Sequence, residues 1–241
     1  MNLDRYAAHK RWSQIAARAG LSVPEKCAVS VRSEKDAMTV SISGVFDAFY
    51  DFDVREVRDE IEKRQPKSLT MLIESPGGSF IDGLALYSAV SKWRSEGMAV
   101  RAEAVGLVAS AATLPFLAAG ERVAHQGSMF MIHNVWTFLV MVGNAAELEE
   151  YAADQVAVMR KMDRQNADIV SGATGMSRAE TVAALDKETW YDGSEMVQAN
   201  ICSEVVTPKS GNKEEIKDHA MDAARSLWMD MTGRAKATGE A

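Results

Sequence analysis

Cysteine is almost missing from this chain: Cys27 and Cys202 are the only two among 241 residues. Two distant thiols make neither a disulfide framework nor a metal-ligand spacing, so a reducing, cytoplasmic setting and no metal are expected. Basic runs are also missing. The 27 Lys and Arg are outnumbered by 34 Asp and Glu, giving a net charge of -7. No stripe exists to follow a phosphate backbone, and no nucleic-acid partner is expected. The opening Met1-Asn-Leu-Asp-Arg-Tyr6 carries charges and has no apolar core of a secretory signal. Long hydrophobic runs are absent too. The two uncharged stretches, 104–120 and 127–144, are short or interrupted by Ser, Thr, Pro, His133 and Asn. They suit buried elements better than a membrane span, so no membrane partner is expected.

What remains is an ordinary soluble composition, 47% hydrophobic and 25% charged, enough to bury a substantial core. Residues 1–36 read as a charged helical arm ending in a loop. Met38-Thr-Val-Ser-Ile-Ser43 alternates apolar and polar residues as a half-buried strand does, and Gly44 ends it. Val54, Val57 and Ile61 recur at helical spacing from Asp53 to Arg64, before Pro66. Leu69 to Glu74 reads as a buried strand. Then follow a helix over 82–96, a strand over 99–105, a small-residue helix over 109–119 and strands at 122–124 and 129–132. Such alternation indicates parallel β-α-β units in an α/β domain. Asn144-Ala-Ala-Glu147 opens a long helix reaching about Ile169, and Ser177-Arg-Ala-Glu180 and Asp192-Gly-Ser-Glu195 open two more. The domain is expected over 37–207, followed by a partly helical tail over 208–241.

Three short stretches carry chemistry. In Ser75-Pro76-Gly77-Gly78-Ser79 the glycines permit positive φ and close backbone approach, so their N–H groups can face an oxyanion. Ser110, in Gly106-Leu-Val-Ala-Ser110-Ala-Ala, is expected where a strand yields to a helix. There the helix dipole and free N–H groups favour developing negative charge. His133 follows the apolar run Met129–Ile132, which would hold a base rigidly at a cleft. Each stretch alone has an ordinary explanation: a tight turn, a packing serine, a core histidine. Together, in this order, they supply the nucleophile, base and donors that acyl transfer needs, and the chain reads as a serine peptidase. A third group should orient the imidazole. Asp186 and Glu188, in Leu185-Asp-Lys-Glu-Thr-Trp190, are both candidates.

These motifs resemble the Clp-type serine peptidases over roughly Val40 to Val206. The matching pieces are Ser75-Pro-Gly-Gly78, Gly106-Leu-Val-Ala-Ser110-Ala111 and Met131-Ile-His133. The resemblance implies a crotonase-like α/β fold, a superhelix of stacked ββα turns with a protruding long helix. It implies Ser110 as nucleophile, His133 as base and the N–H groups of Gly78 and Ala111 as the oxyanion hole, with no cofactor. Aligned through Trp190, Glu188 falls where the larger branch carries Asp, and Asp186 is the alternative third member. The family also implies a homo-oligomeric ring acting on protein or peptide substrates. After His133 this chain runs Val135-Trp-Thr-Phe-Leu-Val-Met-Val142, where the family has a glycine- and glutamine-rich substrate-lining strand. The Glu188-Thr-Trp190 variant and the short serine motif look most like the Clp-like proteases of bacteriophage and prophage head regions. That narrower likeness implies cleavage of scaffold or capsid proteins in the host cytoplasm or inside the prohead. Competing expectations are a general proteolytic subunit served by an ATP-dependent unfoldase, an inactive assembly subunit, and an acyl-CoA hydratase using the same fold.

Overall fold

The computed structural model describes residues 28–46, 54–137 and 141–207. The expected arm up to residue 27 and the tail from 208 lie outside the described residues. Strands β1 (Ala28–Glu34) and β2 (Ala37–Ser43) form an antiparallel hairpin closed at Lys35-Asp36. Strand pairing therefore starts upstream of residue 37, where the sequence read a helical arm and a loop. Arg32, Ser33, Lys35 and Asp36 give this edge the polar look of a loop, while Val31 packs on the core.

From β2 the chain alternates strand and helix: α1 (Val54–Arg64), β3 (Ser68–Ser75), α2 (Phe80–Ser95), β4 (Ala99–Ala109), α3 (Thr113–Ala118) and β5 (Glu121–His125). Strands β2, β3, β4 and β5 pair in parallel, as the βαβ pattern required. Met38, Val40 and Ile42 of β2, Leu69, Met71 and Ile73 of β3, and Val100, Ala102 and Ala104 of β4 are all buried. They share one core with Val54, Val57 and Ile61 of α1, Leu86, Val90 and Trp93 of α2, and Leu114, Phe116 and Leu117 of α3. Strand β3, read as wholly buried, instead alternates, with Thr70 and Leu72 only partly covered.

The eleven-residue β4 changes neighbour along its length. Arg101–Ala104 pairs with β5, then Leu107–Ala109 pairs in parallel with β6 (Met129–Ile132). Strand β6 in turn pairs antiparallel with β7 (Thr189–Asp192), and β8 (Glu204–Val206) extends the other branch beside β5. The expected helix over 109–119 thus begins later. Val105–Ala109 stays extended because Leu107, Val108 and Ala109 are buried between β3 and β6.

The long helix α4 (Ala145–Thr174) starts at the expected capping box: Glu147 N–H donates to Asn144 Oδ1, and Asn144 N–H donates to the Glu147 carboxylate. It outruns the expected end by five residues, to a left-handed Gly175. Its first half is largely exposed, while Asn166, Ala167, Ile169, Val170 and Thr174 are buried. Helices α5 (Arg178–Asp186) and α6 (Gly193–Gln198) begin at the other two capping boxes.

Candidate active site

Strand β4 ends in a strained turn. Ala109 is extended, at φ -129° and ψ 156°, and Ser110 follows with φ +54° at the head of one turn of 3₁₀ helix over Ser110–Ala112. A left-handed conformation costs a non-glycine residue roughly 1–3 kcal/mol and persists only where the surroundings enforce it. Here Thr113 Oγ1 donates to the Ser110 carbonyl at 2.6 Å, and the neighbours on both sides are buried. Ser110 alone on this turn is half-exposed, so its hydroxyl is presented rather than packed.

Two glycines let other segments reach this turn. A methyl group on Gly77 would lie 2.5 Å from Ser110 Cβ and 2.7 Å from the Ala109 carbonyl oxygen. Gly77 also has φ +96°, which a side chain would oppose. A methyl group on Gly83, in the first turn of α2, would lie 2.5 Å from the Ala111 carbonyl oxygen. The glycine turn is fixed from within by Ser75, which is fully buried. Its Oγ donates to the Gly44 carbonyl at 2.6 Å and accepts from the Gly77 N–H at 3.0 Å. Phe46 bridges the turn: its N–H donates to the Gly77 carbonyl, and its carbonyl accepts from the Ser79 N–H. The N–H of Gly78 takes no part in that bridge. Neither Ser75 nor Phe46 was singled out from the sequence, although Ser75 stood inside the motif.

His133 lies one residue beyond β6 and is 7% exposed. Its Nε2 sits 2.7 Å from Ser110 Oγ. The closeness follows from the parallel pairing of β4 and β6, which brings both strands out at the same end of the ladder. The segment behind the imidazole is held by three side chains. Asn166 Nδ2 donates to the His133 carbonyl at 3.1 Å, and Asp163 Oδ1 accepts from the Val135 N–H at 2.8 Å. Asn134 Nδ2 donates to Asp186 Oδ1 at 2.7 Å. Asn166 and Asp163 escaped the sequence reading. A buried polar residue in the apolar stripe Ala167, Ile169 and Val170 was the available signal.

The two candidate acids part company here. The antiparallel register ends at Ile132 opposite Thr189, the chain neighbours of His133 and Glu188. Glu188 has φ +52°, and its N–H donates to the Leu185 carbonyl. Asp186 ends α5 and its carboxylate engages Asn134. Beside the Ser110–His133 pair, Leu107, Ala109, Met129 and Met131 form a small apolar cluster with Trp190 packed against it.

Other titratable groups stand apart. His125, read as a surface or packing residue, has Nε2 2.7 Å from Glu103 Oε2 on the neighbouring strand. His9 and His219 fall outside the described residues. Burial pushes the Cys202 thiol up from its ordinary pKa, so it is a poor thiolate nucleophile. Among the described residues no group of His, Cys, Asp and Glu could hold a metal ion, and no helix is long and apolar enough to cross a membrane.

An alcohol within hydrogen-bond reach of an imidazole, beside a glycine turn, can pass its proton and attack an electrophile. A family model described as Clp protease matches residues 60–209. The ATP-dependent Clp protease proteolytic subunit 1 of Protochlamydia amoebophila is 30% identical over 142 residues, covering 58% of this chain and 66% of that protein. Subunit 1 of Streptomyces coelicolor is 25% identical over 147 residues, covering 60% and 63%. The chain thus spans just under two thirds of the length of these relatives. In fold it is similar to a ClpP1 variant from Listeria monocytogenes, with a TM-score of 0.54 and 22% identity. That match covers 71% of this chain and 92% of the other.

Proposed function

The chain belongs to the Clp protease family, and we propose that it is a serine endopeptidase whose nucleophile is Ser110. The observation that carries this reading is the 2.7 Å approach of His133 Nε2 to Ser110 Oγ. In the reaction His133 takes the hydroxyl proton as Ser110 Oγ bonds to the peptide carbonyl carbon. The C–N bond then breaks as the imidazolium returns that proton to the leaving amine. Water, deprotonated by the same imidazole, releases the acyl group and restores the serine. The N–H groups of Gly78 and Ala111 receive the oxyanion. Support comes from the Gly77 contact, which draws the glycine turn against residues 109–111. Removing one such donor slows acyl transfer roughly 100- to 1000-fold.

Glu188 is the third member in this reading. Its support is the β6–β7 register, which runs from Ile132 and Thr189 toward His133 and Glu188. Asp186 is the alternative. Its carboxylate is engaged by Asn134, which favours a role in holding the loop. Glu188→Gln should lower kcat by roughly 1000-fold or more, as removal of an orienting carboxylate does, and Asp186→Asn far less. The reverse ranking moves the role to Asp186.

Protein or peptide substrates and a homo-oligomeric ring complete the proposal. Exposed Met141, Val142, Tyr151, Val156 and Val158 around the first half of α4 offer apolar surface for subunit contact. Two finer readings differ in substrate supply. The phage reading, cleavage of scaffold or capsid proteins during prohead maturation, rests on the Glu188-Thr-Trp190 and Gly106–Ala112 motifs. The other, an ATP-dependent unfoldase feeding the ring, rests on the names of the relatives. Processing of a co-expressed capsid precursor without any ATPase would favour the first. A fluorophosphonate probe tests the core of the proposal: the wild type should label at Ser110, Ser110→Ala should not, and a wild type that labels no better than Ser110→Ala overturns it.

A further inference from the structure

We propose that the long helix α4 carries two positioning residues, Asn166 and Asp163, that set the place of the His133 imidazole relative to Ser110. The inference rests on the serine-peptidase reading above and deepens it. Strand β6 ends at Ile132, so the base stands on backbone beyond the last paired residue of its strand. Something outside the ladder must hold that backbone if the 2.7 Å contact to Ser110 Oγ is to be kept.

The holding groups come from α4. Asn166, only 7% exposed, donates its amide N–H to the His133 carbonyl at 3.1 Å. Asp163, one helical turn earlier on the same face, accepts the Val135 N–H at 2.8 Å. The two bonds have opposite polarity and straddle Asn134, so residues 133–135 cannot pivot without losing one of them. Asn134 is tied separately to Asp186. A carbonyl and an N–H two residues apart are thereby matched by a donor and an acceptor three residues apart on a rigid helix. The contact also explains a buried asparagine in an otherwise apolar stripe, since a buried amide needs partners. Neither side chain is assigned contact with substrate. They act through the backbone of the base.

Misplacing a reacting group by about an ångström costs on the order of 100-fold in rate. On a small acyl substrate, Asn166→Ala and Asp163→Ala should therefore lower kcat by about 10- to 100-fold with little change in KM. Fluorophosphonate labelling of Ser110 should slow in parallel. Asp163→Asn keeps an acceptor oxygen and should restore most of the rate lost in Asp163→Ala. Asn166→Asp places a carboxylate beside the base, which favours the imidazolium and moves the acid limb of the kcat/KM profile upward in pH. Asn166→Ala should leave that limb where it is.

The experiment uses the full-length assembled protein, with melting followed for each variant. Alanine variants that melt early yet keep wild-type kcat and labelling rate overturn the proposal, since the side chains would then serve only helix docking. Asp163→Asn as slow as Asp163→Ala overturns it too, because charge rather than backbone capture would be at work. Should the Asn166 variants fail to fold, the half-exposed Asp163 pair decides alone. A wild type that does not label takes down the serine-peptidase reading, whereas a labelling wild type with indifferent variants takes down only this one.

Discussion

The positive φ of Ser110 makes a prediction about stability that is independent of catalysis. Ser110→Ala and Ser110→Gly both remove the hydroxyl, so neither variant can hydrolyse peptide by the proposed route. They differ in backbone strain. At φ +54° alanine keeps the left-handed penalty of about 1–2 kcal/mol, which glycine escapes. Against this, glycine adds roughly 0.4–1 kcal/mol of unfolded-state entropy. Both variants lose the Ser110 Oγ–His133 contact alike and retain the bond from Thr113 to the residue 110 carbonyl. The balance favours Ser110→Gly by about 0.5–1 kcal/mol. For a chain of this size each kcal/mol moves the melting midpoint by about 2–4 °C, so Ser110→Gly should melt about 1–4 °C above Ser110→Ala. Thermal and urea midpoints measured side by side decide the matter. If strain is absent, unfolded-state entropy acts alone and Ser110→Gly becomes the less stable of the pair. That reversal of sign would refute the strained-turn argument. Gly77→Ala supplies a check, because Ser110→Gly cannot rescue it: the Ala109 carbonyl oxygen still stands 2.7 Å from the new methyl.

Gly83, Glu103 and Arg122 each make a contact that can be tested by substitution. Gly83→Ala would raise the stability of an unobstructed helix by roughly 1 kcal/mol, but the methyl meets the Ala111 carbonyl oxygen at 2.5 Å. The variant should instead lose about 1–3 kcal/mol and label more slowly; wild-type melting with wild-type labelling would refute the close approach. Glu103 is pushed up by burial, yet hydrogen bonds from His125 and Arg101 outweigh this and hold its carboxyl below the ordinary value. Its contribution is therefore full above the ordinary glutamate pKa of about 4.3 and is lost as pH falls through the lower folded-state value. Urea midpoints of wild type and Glu103→Gln should converge in that acid window, and parallel profiles would refute it. Arg122, whose pKa burial lowers, donates from Nη2 to the carbonyls of Ala173 and Asn200 at 2.9 and 3.1 Å. A lysine cannot reproduce that fork, so Arg122→Lys should cost about 1–2 kcal/mol in denaturant titration, and an unchanged midpoint would count against the role.

The parallel α/β core was legible because its strands and helices carry clean periods: Met38, Val40 and Ile42 at two, Val54, Val57 and Ile61 at helical spacing. The three capping boxes were legible because their chemistry is confined to four residues each. Ser110 and His133 could be named because each sits inside a short motif, and the structure brings them together. Where the reading slipped, local pattern was weak or misleading. The run Gly106-Leu-Val-Ala-Ser-Ala-Ala is small and apolar throughout and has no period to mark where strand gives way to turn. The first hairpin was hidden by charges on its exposed edge. Asp163 and Asn166 meet a segment some 30 residues away, and no local rule reports such a meeting. Asp186 and Glu188 were inseparable by sequence because what treats them differently, the β6–β7 register beside Glu188 and the Asn134 bond to Asp186, is set by contacts at a distance.

The handover of β4 from β5 to β6 has a consequence for how such a chain can vary. Ser110 follows Ala109, and His133 follows Met131 by two residues, while Ala109 and Met131 are ladder partners. The coarse spacing between alcohol and base is thus set by main-chain pairing, and the connection over 126–128 is tied to the same sheet: Gln126 N–H donates to the Val206 carbonyl, and buried Ser128 donates from Oγ to the Ala104 carbonyl. A single-residue slip of β6 against β4 would turn the imidazole to the opposite side of the sheet.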